Sequence, residues 1–145
     1  MFRLEGNDMF GKFEGHDLTA DPIKMNELVL AYIGDCVYEL YVRNLSVESG
    51  VTKTHVLDIM SSKKSKASYQ ASALGRIEPI LTQTEAAVVR RARNKKISSK
   101  PKNADPMDYK AATAFEALVG FLYLSGESER MEEIIGLALK EEKNE

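Results

Sequence analysis

From Met25 onward the apolar residues fall three and four positions apart: Leu28, Val29, Tyr32, Ile33, Cys36, Val37, Leu40 and Tyr41. That recurrence marks a long amphipathic helix. Pro22 is placed to open it, with Asp21 as its cap, and Ser49-Gly50 to close it. Thr52 or Thr54 caps a short second helix through Met60, and Ser61-Ser62 restarts a third from residue 63 to about residue 74 or 76. After Glu78-Pro79, Thr82 or Thr84 caps a fourth, TEAAVVRRARNKK, whose second half is nearly all basic. Residues 94–107, NKKISSKPKNADPM, read as a loop longer than most helix connections, and such loops tend to carry function. Asp108 is a plausible cap for the next helix, which ends near Ser125-Gly126, and Ser128 opens a last amphipathic helix running into an acidic tail. No β alternation interrupts this pattern, so the class is all-α with about six helices. Residues 1–22, broken by Gly6, Gly11 and Gly15, read as a flexible N-terminal arm, and residues 23–145 as one domain.

Within residues 111–124, AATAFEALVGFLYL, one carboxylate stands in an apolar run. On a helix Glu116 lies over Ala112 on one side and Val119, Gly120 and Tyr123 on the other, so its charge projects from the apolar face. A carboxylate there is costly unless a cation or strong donors meet it. Asp35 flanks the apolar stripe of the first helix in the same way, beside Leu28 and Tyr32, with Gly34 before it. A glycine inside a helix costs about 1 kcal/mol against alanine, which points to a packing or access role. Two oxygen-ligand acids on apolar helices suit Mg²⁺, with Mn²⁺ as a substitute. The alternative is that each acid is structural, paired with an arginine or capping a neighbouring helix. Glu39, one turn after Asp35, could assist it or be a structural partner.

Charge adds a second feature. The net charge is −2, but residues 61–110 hold 12 bases against 4 acids, while residues 1–60 hold 10 acids against 5 bases. A basic middle third in a chain that is otherwise acidic suggests a focused anion-binding surface. Its members are Lys63, Lys64, Lys66, Arg90, Arg91, Arg93, Lys95, Lys96, Lys100 and Lys102. Asn94, Ser98, Ser99 and Asn103 add neutral donors suited to phosphate or 2′-hydroxyl groups. Hydrophobic residues at 43% and charged residues at 29% are ordinary for a globular domain in water. The single cysteine, Cys36, excludes an internal disulfide and reads as buried; this fits a reducing cytoplasm. No apolar run is long enough to span a membrane. His16 and His55 have no partner pattern, and without a glycine-rich phosphate loop or a CxxC pair no other catalytic chemistry stands out.

The segment AYIGDCVYELYVR resembles the first signature helix of the ribonuclease III catalytic domain, with Ile33-Gly34-Asp35-Cys36 at the L-G-D-A-type motif. TAFEALVGFLYL resembles the second signature helix, and RRARNKKISSKPKNAD resembles the arginine-rich helix and P-K-N loop of the Mini-III branch. The likeness covers about residues 25–140. It implies an all-α endonuclease domain that forms a two-fold homodimer and cleaves double-stranded RNA with Mg²⁺. It also implies maturation of 23S ribosomal RNA precursor ends, with a ribosomal protein as a possible partner. That branch has no separate double-stranded-RNA-binding domain. The family pattern has four acids; here Ala31 and Thr113 stand at two of those positions, so carry-over of catalytic and metal-binding roles covers Asp35 and Glu116 alone. The apolar first helix, through Tyr32, Val37 and Tyr41, is the candidate dimer face. A catalytically inactive ribonuclease III-like RNA-binding module is the runner-up, and a helical protein–protein adaptor the third reading.

Overall fold

A computed structural model describes residues 20–96, 103 and 105–140. Among them the fold is all-α, with six helices: α1 (Glu27–Glu48), α2 (Thr54–Ser65), α3 (Ala67–Ile77), α4 (Gln83–Arg93), α5 (Pro106–Leu124) and α6 (Ser128–Ala138). No helix of the described residues is long and apolar enough to cross a membrane.

The apolar run that contains Glu116 becomes the central helix. On α5, every residue from Ala112 to Leu122 except Glu116 is buried. The helix packs most extensively against α1, then against α3 and α4. Its start is set by Asp105, whose side chain accepts from the Met107 and Asp108 amides, with Pro106 in the first turn. Asp105, not Asp108, is therefore the cap: a proline at the first helical position lacks only an N–H that the helix would leave unpaired. Asp108 sits in the first turn instead, where its charge faces the positive end of the helix.

Two other boundaries differ from the sequence expectation for identifiable reasons. Pro22 opens only a single 3-10 turn, Pro22–Lys24, and α1 begins at Glu27 because the Asn26 side chain accepts from the Leu28 amide. The second helix does not stop at Ser61-Ser62; it runs to Ser65, and the break falls at the extended residue Lys66. Bonds from α1 sustain it. Buried Ser61 meets Ser46 at 3.3 Å, the Ser65 hydroxyl donates to Glu39 at 2.6 Å, and the Tyr38 hydroxyl donates to the Lys64 carbonyl at 2.7 Å. Glu39, bonded also to Arg43, is thereby a structural tie between α1 and α2.

The α1–α5 contact is a close crossing. A Cβ built on Gly34 would lie 1.7 Å from the Glu116 carbonyl oxygen, and one on Gly120 would lie 1.9 Å from that of Leu30. Each helix supplies a glycine where the other's backbone passes, so of the packing or access role expected for Gly34 the structure shows packing. Away from that crossing α1 keeps an apolar outer side. Tyr32 is 80% exposed, Leu40 55% and Val29 50%, and Cys36 is exposed rather than buried. Val37 is in the core, and Tyr41 is half-buried.

Candidate active site

The crossing brings together two acids that are far apart in sequence. Asp35 of α1 and Glu116 of α5 are hydrogen-bonded to each other and line one open cleft. Leu28, Ala31 and Tyr32 from α1 and Tyr109 and Thr113 from α5 complete its lining. Burial pushes the Glu116 carboxyl up to about 9, with the bond and charge of Asp35 adding to the rise. Glu116 therefore keeps a proton near neutral pH.

Other buried acids in the molecule are answered by cations. Glu27 is met by Arg91 and Lys95, and Glu85 by Arg130. Both carboxyls are held below the ordinary glutamate range, despite burial that for Glu27 is the largest single influence, in the raising direction; for Glu85 the Arg130 hydrogen bond dominates. Among the described residues no lysine or arginine lies within ion-pair reach of Asp35 or Glu116. A proton shared between two carboxyls is what remains when two acids converge without a positive partner. The donor set fits a hard divalent cation, which would replace that proton. It is a lean set. The described residues contain no cluster of three or more His, Cys, Asp or Glu side chains. Thr113, at one of the missing acid positions, directs its hydroxyl to the Tyr109 carbonyl at 3.0 Å.

This arrangement has a measurable consequence. In the folded chain Glu116 holds its proton to about 9, against 4.5 for an ordinary glutamate. The folded state thus binds more protons than the unfolded state between those values. Metal-free stability is therefore fullest below the unfolded value and falls as pH rises, by at most about 1.4 kcal/mol per pH unit. Melts in a chelator should show Tm falling between about pH 6 and about pH 8.5, with a flatter profile for Glu116→Gln. A pH-independent difference between the two proteins would contradict the shared proton.

The basic residues form two groups. Lys63 and Lys64 end α2 and Lys66 is the break before α3. Arg90, Arg91 and Arg93 end α4, Asn94 is its C-cap, and Lys95 and Lys96 follow. Asn103 is exposed; Lys100 and Lys102, like Ser98 and Ser99, lie outside the described residues. Both groups are bonded to α1 on either side of Asp35. The first is tied at Tyr38 and Glu39, the second at Glu27. At 1.5 Å per residue those anchor points lie about 5 Å and about 12 Å from Asp35 along the axis. Arg91, Lys95 and Arg93 are partly neutralised by Glu27 and Glu78. Sequence reasoning missed Glu27, whose partner is 64 residues away, and Tyr109, which helical spacing from Glu116 could have supplied.

Comparison with known proteins agrees with this architecture. The Ribonuclease III domain family matches residues 28–127. The Mini-ribonuclease 3 of Symbiobacterium thermophilum is 44% identical over 119 residues, 82% of this chain and 92% of that protein. That of Brevibacillus brevis is 45% identical over 119 residues, 82% and 89% of the two chains. A crystal structure of a Fusobacterium nucleatum protein superposes with a TM-score of 0.77 at 29% identity, covering 84% of this chain and all of that one. The fold is that of a ribonuclease III domain. Within it, the chain belongs to the Mini-ribonuclease 3 family.

Proposed function

We propose that this chain is a Mg²⁺-dependent endoribonuclease that cuts double-stranded RNA as a two-fold dimer, with 23S ribosomal RNA precursor ends as its cytoplasmic substrate. Family membership supports the endoribonuclease class. The ribosomal substrate rests on kinship alone. The observation that carries the mechanism is the meeting of Asp35 and Glu116 in an open cleft, without a basic partner among the described residues.

Asp35 and Glu116 would hold the cation. When bound, it supplies the charge that activates an attacking water and polarises the scissile phosphate. The chain's own residues do the rest. α1 and α5 fix the two carboxylates at one point, and Glu116 would have to release its proton to solvent to hold the cation. The lysines and arginines grip phosphates and leave the bases unread. No side chain here is needed as a covalent nucleophile. The test is incubation of the purified protein with long double-stranded RNA, with Mg²⁺ or with a chelator. Discrete cuts should arise only with Mg²⁺. Intact duplex under both conditions, with binding retained, would leave an inactive RNA-binding module.

Replacing Lys66 or Arg90, cations without an acidic partner among the described residues, by alanine should weaken binding to all duplex sequences alike and lower the salt slope by about 1 per residue. A loss confined to one sequence would contradict backbone reading. The exposed stripe Val29, Tyr32, Cys36 and Leu40 on α1 supports the dimer, since contiguous apolar surface on a helix marks an association face. Tyr32 also lines the acid cleft, which would bring the two sites close to the axis. Leu40→Glu should yield a monomer by light scattering that cuts poorly; an unchanged dimer would move the interface elsewhere.

A further inference from the structure

We infer that Glu27 is a positioning residue that presents Arg91 to the RNA backbone, an inference that rests on the reading of α4 as an RNA-binding helix. Three observations carry it. First, the Glu27 carboxylate is only 8% exposed and accepts from Arg91 Nε at 2.8 Å, with Lys95 Nζ at 3.3 Å on its other oxygen. Second, the contact uses only the Nε edge of the guanidinium. Both Arg91 Nη groups have no partner among the described residues, and the side chain is 40% exposed. Third, Glu27 opens α1, two turns before Asp35, and its chain neighbour Leu28 lines the acid cleft.

A guanidinium is a rigid planar fork. Holding it by Nε sets the plane and turns the Nη pair outward, the geometry that receives a phosphate by two parallel bonds. Free in solution, an arginine side chain would have to order its rotamers at binding, a cost that the Glu27 contact removes in advance. The same carboxylate adds a negative charge to the cationic surface. Neutralisation alone and positioning therefore predict opposite signs when Glu27 loses its charge.

The test measures duplex RNA binding in Ca²⁺, and cleavage in Mg²⁺, for Glu27→Gln, Arg91→Ala and the double variant. Positioning predicts that Glu27→Gln binds about 3- to 10-fold more weakly, although its net charge is more positive. It should raise KM while keeping kcat within about twofold. In the Arg91→Ala background the Glu27 change should then have no effect, the mark of action through Arg91. Tighter binding by Glu27→Gln, or an equal loss with and without Arg91, overturns the inference. So does Arg91→Ala binding like the native chain. If Lys66→Ala and Arg90→Ala still weaken binding in those cases, the RNA-binding reading stands and only the role of Glu27 is lost. Should Glu27→Gln not fold, Arg91→Lys decides the matter: it keeps the charge and a Glu27 partner but lacks the fork. Weaker binding supports positioning, and native affinity overturns it.

Discussion

Glu116→Gln should abolish cleavage without unfolding the protein. The expected loss is at least about 1000-fold in kcat, or about 4 kcal/mol of transition-state stabilisation. Fold and activity separate here because of how Glu116 sits. Its carboxyl is pushed up to about 9 by burial and by Asp35, so near neutral pH it is already uncharged. Glutamine has the same shape and the same neutrality, so the metal-free variant should melt at or above the native temperature at about pH 8. What it cannot do is become an anion. The native protein should gain Tm with Mg²⁺, as any ligand of the folded state produces, and Glu116→Gln should gain little. Duplex binding in the absence of cleavage should persist, because the cationic groups of α2 and α4 are untouched. Full cleavage by Glu116→Gln would remove this cleft from the reaction.

Gly34→Ala should be the most destabilising single-methyl change in the molecule, costing more than about 3 kcal/mol in chemical denaturation. On an isolated helix the same substitution would help by about 1 kcal/mol. Here the added Cβ would lie 1.7 Å from the Glu116 carbonyl oxygen, 2.7 Å from its carbon and 2.8 Å from the Gly120 amide nitrogen. All three are backbone atoms of α5, so no rotamer can relieve the clash and the two helices must part. Parting them also separates Asp35 from Glu116, and any protein that still folds should lose cleavage and Mg²⁺ stabilisation together. Gly75→Ala is the control. Gly75 lies inside α3 with nothing within 4 Å of a Cβ, so alanine there should be neutral or stabilising by up to about 1 kcal/mol. Equal costs at both positions would mean that helix crossing is not what Gly34 serves.

Much of this protein was legible along the chain. Local physics sets helix number and type, and the apolar spacing, Thr82 with Glu85, and the Ser125-Gly126 stop all act within a few residues. The isolation of Glu116 in an apolar run was visible for the same reason: helical periodicity alone shows which residues share its face. The block of positive charge between residues 61 and 110 was likewise a matter of counting.

Only the tertiary structure decided what those faces meet. α1 is apolar on more than one side, and periodicity cannot say that Val37 enters the core while Tyr32 and Cys36 stay outside. The end of α2 depends on bonds from Tyr38 and Glu39, which lie 26 residues from their acceptor and donor. Glu27 reads as an ordinary first-turn acid until α4 folds back and places Arg91 against it. Spacing along one helix encodes a face, whereas the partner of that face is a property of how the helices pack.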